Sequence, residues 1–315
     1  MIRYIFRRIP SFVIVVALAS IVAFLLPRLA PGDPAVQMAG PDATTEQVDA
    51  IRHAAGLDLP LVTQYLNWVG GIFHGDLGTS FSYHRPVSEL IAASMESSFE
   101  LAIFAAIIMV VLALVLGVLG GTQLRKTSRT VLDVINTAMI AMPAFLVGLI
   151  LIVVFGIVLR VLPISGQVNL SENFAEGIKY LILPAIALAL GQAAVIARLL
   201  QTSMLTTRGE EFVDLATAKG ASPARITFRH VLPASLNTAI VALGLRIGEL
   251  LGGAIVIEAI FSRSGLGQLA VQAVNSRDYF LVQALVIGAV MIAVLSQLTS
   301  ELVTAAVDPR VRLDG

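Results

Sequence analysis

Six apolar stretches, each at least about 20 residues long, govern what this 315-residue chain can become. A helix rises about 1.5 Å per residue, so about 20 apolar residues cross a hydrocarbon core about 30 Å thick. The stretches run from Ile9 to about Leu29, about Phe99 to Gly121, about Ala138 to Leu159, about Ile178 to Leu200, about Thr238 to Phe261, and about Phe280 to Val307. In lipid every backbone polar group must be satisfied, which predicts helices for these segments. No alternating pattern suggests a membrane barrel. Pro143 and Pro184 fall inside the third and fourth stretches. The expected fold class is therefore an all-α membrane protein with six transmembrane helices.

Composition agrees. Hydrophobic residues make up 57% and charged residues only 13%, against about 25% charged in soluble domains. A soluble enzyme and a nucleic-acid binder are both excluded on this ground. Lys+Arg and Asp+Glu are each 21, so no global basic field exists to attract nucleic acid. With no cysteine, disulfides, thiolate metal sites and cysteine nucleophiles drop out.

Where the basic residues sit sets the orientation. With the N-terminus in the cytoplasm, 13 of the 21 fall on the cytoplasmic side, beginning with Arg3, Arg7 and Arg8 and ending with Arg310 and Arg312. Seven fall outside, and Arg246 lies within the fifth span. Both termini are thus expected in the cytoplasm. The first apolar run exceeds a signal-peptide core of about 7–15 residues, so it is read as an uncleaved helix. Four parts follow: an N-terminal helix over 1–30, an external subdomain over 31–96, a membrane core over 97–307 containing a cytoplasmic loop at 206–233, and a tail over 308–315.

In the external segment, Pro31-Gly-Asp-Pro34 predicts a turn. From Pro60, residues Leu61, Val62, Tyr65, Leu66, Val69 and Phe73 recur at helical spacing. Such an amphipathic helix lies on a membrane surface, caps a pore mouth or receives an external protein. The loop before the fifth span reads Glu210-Glu-Phe-Val-Asp-Leu-Ala-Thr-Ala-Lys-Gly-Ala-Ser-Pro-Ala-Arg. Glu211 to Lys219 favours a helix, Gly220 ends it, and Ser222-Pro223 starts a second one. Two short helices joined at a glycine would protrude as a knob suited to another protein. Ala216 and Ala218 are small, while Lys219 and Arg225 add charge.

Asp214-Leu-Ala-Thr-Ala-Lys-Gly220, followed by Leu232-Pro233, resembles the EAA loop of ABC importer membrane subunits. Ala216, Gly220, Leu232 and Pro233 match that pattern. Asp214 replaces its Glu, Leu215 its first Ala, and His230 its Ile. Arg7-Arg8, Pro31-Gly-Asp-Pro34, Gly56-Leu-Asp-Leu-Pro-Leu61, Gly75-Asp-Leu-Gly-Thr-Ser80, Arg277-Asp-Tyr279 and Asp308-Pro-Arg-Val-Arg312 are similar to the B-type subunit of dipeptide and oligopeptide permeases. The resemblance covers nearly the whole chain. It implies half of a peptide translocation pathway in the cell membrane, completed by a homologous C-type subunit. It also implies two cytoplasmic ATPase subunits or domains and an external substrate-binding protein. Asp214, Ala216, Ala218, Lys219, Gly220, Ala221 and Arg225 would form the ATPase-coupling loop. Relatives of this kind also carry nickel or glutathione. No cofactor is implied.

The fifth span carries Arg246 and Glu249, three residues apart and able to pair. Intramembrane charges mark function by default, so the pair either lines a pathway or locks two helices. Glu258, nearer the outer end, is a further pathway candidate. Gly244, Gly248 and Gly252 form a small-residue stripe for helix packing. At about 100° per residue, the charged pair points away from that stripe.

Other chemistry is missing. Gly120-Gly-Thr-Gln-Leu-Arg-Lys-Thr127 has Arg125 where a phosphate loop needs its second glycine. An ATPase must then be a partner rather than part of this chain. The histidines at 53, 74, 84 and 230 show no metal-binding spacing. An ion-coupled secondary transporter is the competing class. It would explain the intramembrane charges, but not the protruding loop.

Overall fold

The computed structural model describes residues 2–29, 33–40, 42–122 and 126–307. Pro31, Gly32, Arg125 and residues 308–312, all named above, lie outside them. Most of the described residues are helical, and among them the one β-bridge is an isolated pair between Thr79 and Pro86. Thirteen α-helices follow in order: α1 (Ile2–Leu25), α2 (Pro34–Ala39), α3 (Thr45–Ala54), α4 (Leu61–Phe73), α5 (Val87–Gly121), α6 (Lys126–Ala141), α7 (Ala144–Leu151), α8 (Phe174–Thr207), α9 (Glu211–Ala218), α10 (Pro223–Ile226), α11 (Leu232–Ile260), α12 (Leu266–Asn275) and α13 (Tyr279–Val307).

Among the described residues, five helices are long and apolar enough to cross a membrane. A sixth crossing exists only if α6 and α7 count as one span. They are bent by 103° at their junction, which corrects the expectation of one continuous helix from Ala138 to Leu159. The cause is Pro143, which forces Met142 out of helical geometry and takes the position before α7 with ψ 141°. Beyond it, α7 and a π-helical stretch (Ile152–Val158) together reach only about 22 Å at 1.5 Å per residue. Pro184 behaves differently, for α8 continues through it unbroken.

The chain forms two compact units. The first comprises Met1–Tyr4, Ser97–Arg263 and Ala293–Gly315. Its core is built on α8, whose alanines 185, 187, 189, 193, 194 and 197 are buried beside Leu181, Leu188, Ile196 and Leu200. Without a hydrophobic effect between helices in lipid, close packing of small residues holds them together. Accordingly Gly117, Gly120 and Gly121 of α5 lie against α8. A Cβ there would stand 2.6–2.8 Å from Leu200, Gln201 and Met204.

The second unit comprises Ile5–Glu96 and Ser264–Ile292. Phe24 at the end of α1 meets Tyr65 edge-on at 5.4 Å and Trp68 at 5.9 Å. The Tyr65 hydroxyl lies 2.7 Å from Ser20 Oγ. The polar run after Pro34 contains two helices that hydrophobic periodicity did not reveal. Asp33 accepts from Ala35 N at the start of α2, and Thr44 with Gln47 forms a capping box for α3. Arg52 then reaches back to Asp33 at 2.5 Å.

Candidate functional site

The loop between α8 and α11 is built as a knob with a fixed stop. Helix α9 ends in a Schellman motif. Ala221 N donates to Ala216 O (3.1 Å) and Gly220 N to Thr217 O (2.9 Å). Gly220 takes φ +80° with nothing within 4 Å of where a Cβ would be. Its requirement for glycine is therefore conformational within this chain. Ser222 Oγ accepts from Arg225 N at 3.4 Å, with Pro223 in the first turn of α10.

The expected second short helix does not stand alone. From α10 the chain passes through a π-helical stretch (Thr227–Val231) straight into α11, giving one span from Pro223 onward. Pro233 sits at the start of α11. A proline there supplies no N–H to the preceding turn and crowds the carbonyl four residues back. A wide turn accommodates both effects. Arg208 fastens the base of the knob, its Nε donating to Gly121 O (2.8 Å) and Nη2 to Thr227 Oγ1 (2.6 Å).

Val213 and Ile226 anchor the knob in the core. Ala216 and Ala221 also pack against it. Asp214, Ala218, Lys219, Gly220 and Arg225 face outward. Among them stand three large apolar side chains, Phe212 (43% exposed), Leu215 (56%) and Phe228 (62%). Sequence reasoning missed these. Their signal was three bulky apolar residues in a polar loop whose small residues it had favoured. Exposed apolar residues with charged neighbours are the makings of a protein interface.

In α11, Arg246 Nη1 donates to Glu249 Oε2 at 2.6 Å and lies 3.4 Å from Gln192 Oε1. Both side chains remain partly open, at 31% and 51%. Gly244 and Gly248 pack against Ser300 and Ser296 of α13, where a Cβ would meet side-chain atoms at 3.0 and 3.2 Å. Gly252 has no such neighbour; Gly253 packs instead, against Leu188. Two of the three stripe glycines thus pack a helix.

Glu258 is fully buried in the chain. Ser98 Oγ donates to its Oε1 at 2.7 Å. Nearby, buried Arg263 donates to Ser97 Oγ (3.1 Å) and lies 3.8 Å from Glu100. Burial lowers the Arg263 pKa, and the Glu100 and Glu258 carboxylates oppose that shift. Ser97 Oγ donates onward to Gln167, and Leu170 N donates to Glu100. This is a buried ionic node tying α5, the end of α11 and the 166–170 segment. No group of three or more His, Asp or Glu among the described residues could hold a metal.

Membrane-length helices and a protruding helical knob with exposed apolar side chains are the architecture of a membrane subunit built to meet another protein. The chain is a member of the family described as "Binding-protein-dependent transport system inner membrane component", which matches residues 113–313. The N-terminal component of the same system matches residues 1–102. The chain is 34% identical over 309 residues to the "Probable peptide ABC transporter permease protein y4tP" of Sinorhizobium fredii, covering 98% of this chain and 99% of that one. It is 31% identical over 312 residues to the "Glutathione transport system permease protein GsiC" of Escherichia coli, covering 99% of each. Among solved structures, the MetNI methionine ABC transporter in inward-facing conformations has a similar fold. The TM-score is 0.57 at 18% identity, covering 70% of this chain and 96% of that one. The chain is thus a multi-pass ABC importer permease subunit.

Proposed function

We propose that this permease subunit forms half of the translocation pathway for short peptides, and that the loop at 206–233 transmits ATP-driven movement to it. The observation that carries the coupling reading is the knob itself, a rigid Schellman-stopped helix with Phe212, Leu215 and Phe228 exposed beside Asp214, Lys219 and Arg225. A cytoplasmic ATPase would receive this surface in a groove. The excess of arginine and lysine on that side supports a cytoplasmic position for the knob and both termini. A second, homologous permease subunit would complete the pathway, and an external binding protein would deliver substrate. Hydrolysis belongs to the ATPase; this chain performs none.

Peptide is favoured as substrate because the relative at 34% identity is named for peptide transport. Glutathione, itself a short peptide, is the second reading, since a relative at 31% identity is named for it. Arg246 and Glu249, paired yet partly open, are the pathway residues in this reading. Glu258 would act by holding the outer end of α11 rather than by touching substrate. Affinity purification of the tagged chain in mild detergent tests the assembly. A second six-span subunit and P-loop ATPases should accompany it. Recovery of the chain alone, or only with itself, would refute the proposal.

A further inference from the structure

In the second compact unit, α4 holds three apolar side chains out of the protein: Val62 (70% exposed), Leu66 (61%) and Phe73 (85%). At about 100° per residue they lie within about 40° of one another. Thr63 and Asn67 fall about 100° to one side of them, and Tyr65 and Trp68 about 110° to the other. The helix thus has an apolar, a polar and an aromatic sector. The aromatic sector docks on the end of α1. Tyr65 Oη lies 2.7 Å from Ser20 Oγ, and the Tyr65 and Trp68 rings both meet Phe24. Arg28 ties the same junction, donating to Gln64 Oε1 at 2.6 Å. Ser20, Phe24 and Arg28 all belong to a membrane-length apolar segment, Pro10–Leu29. Its Leu18, Ile21, Val22 and Leu25 are themselves exposed. These contacts set α4 at the level of Phe24, four residues and so about 6 Å along α1 from Arg28.

With thirteen residues, α4 is about 20 Å long, too short for a hydrocarbon core about 30 Å thick. Apolar helices of that length are buried in a core or lie at the membrane interface. No residue of α4 is buried. It also has no charged residue, whereas α3 carries Glu46, Asp49 and Arg52. We propose that α4 lies in the plane of the membrane, in the leaflet that receives the end of α1, with Val62, Leu66 and Phe73 among the acyl chains. Interfacial helices sink about 5–10 Å past the headgroup boundary. A level about 6 Å below Arg28 agrees, since an arginine at the end of a span keeps its charge among the headgroups. Lipid is the occupant because α4 is fastened to a helix whose own exposed side must be in lipid. A docked external protein would leave a polar, charged rim around the patch, and α4 offers no charge for one. The proposal goes beyond the transport reading and depends on neither the coupling loop nor the substrate.

The chain has no cysteine, so one introduced cysteine can carry a spin label. The variants are Leu66→Cys and Phe73→Cys on the apolar sector, and Thr63→Cys and Asn67→Cys on the polar one. All four positions are exposed, so the fold should tolerate them. The full chain, with any subunits that co-purify, is reconstituted in liposomes. Collisions of each label with oxygen, which concentrates in lipid, are compared with collisions with a water-soluble nickel chelate. The oxygen-to-nickel ratio should be severalfold higher at Leu66 and Phe73 than at Thr63 and Asn67. Equal ratios would put the apolar sector in water, and labels at Leu66 and Phe73 shielded from both reagents would put it under protein. Either result would overturn the proposal. Trp68, the only tryptophan, gives a reading without any substitution. Lipid brominated on its acyl chains should quench its fluorescence, and absence of that quenching would equally contradict the proposal.

Discussion

Ser80 and Asp278 stand 198 residues apart in the chain and meet at 2.5 Å, the serine hydroxyl donating to the carboxylate. Both are fully buried. The same carboxylate accepts from Ser82 N and from Leu281 N in the first turn of α13. One aspartate therefore fixes the 78–87 loop and starts a membrane helix. Asp278→Ala should cost about 2–4 kcal/mol, the loss of charge-assisted hydrogen bonds with donors left buried. Asp278→Asn should cost less, because an amide oxygen still accepts from the backbone. Trp68 is the only tryptophan in the chain and lies in the same unit. Its fluorescence during thermal unfolding in detergent reads the order wild type, Asn, Ala.

Arg263 is buried between two glutamates and supports Ser97. Removing one member of a buried charge group leaves its partners uncompensated, at roughly 3–5 kcal/mol. Arg263→Met should therefore be strongly destabilising, while Glu258→Gln, which can still accept from Ser98, should be mild. In the double variant the cost should fall below the sum of the two. Additive losses would show that Arg263 and Glu258 are not coupled.

At the knob, folding and docking should separate. Phe212 and Leu215 are exposed, so Phe212→Ser and Leu215→Glu should change the stability of the chain by no more than about 0.5 kcal/mol. Both should abolish co-purification of the ATPase. Gly220 is different, because its φ of +80° penalises any Cβ. Gly220→Val should cost about 1–3 kcal/mol, and Gly220→Asn less, since Asn tolerates this region. Equal effects of Val and Asn would contradict the conformational account.

The Arg246–Glu249 pair is partly open and hydrogen bonded. Glu249→Gln should leave expression at wild-type level, because the amide oxygen can still accept from Arg246. Uptake per molecule at the membrane should fall severalfold if the pair belongs to the pathway. Normal uptake at normal expression would assign it a purely structural role.

The sequence displayed some of this plainly and hid the rest for identifiable reasons. Long apolar runs located the membrane helices, because lipid imposes length and composition together. Gly220 and Ser222-Pro223 announced the stop and restart of the knob, since caps are local chemistry. The break at Pro143 is not legible, because a proline in an apolar run ends one helix here while α8 runs on through Pro184. Helix α3 was legible from Thr44 and Gln47, had caps been weighed above hydrophobic periodicity. Ser80–Asp278 and Ser98–Glu258 were not legible, because nothing local links residues that far apart.

Energy coupling is the claim on which the functional account rests. The most direct test places the purified permease complex, with its ATPases and binding protein, in proteoliposomes with all ion gradients collapsed, and follows labelled dipeptide. The account predicts uptake that starts with ATP and is lost in Leu215→Glu. Uptake that runs on an ion gradient without ATP, or ATP-driven uptake untouched by Leu215→Glu, would contradict it.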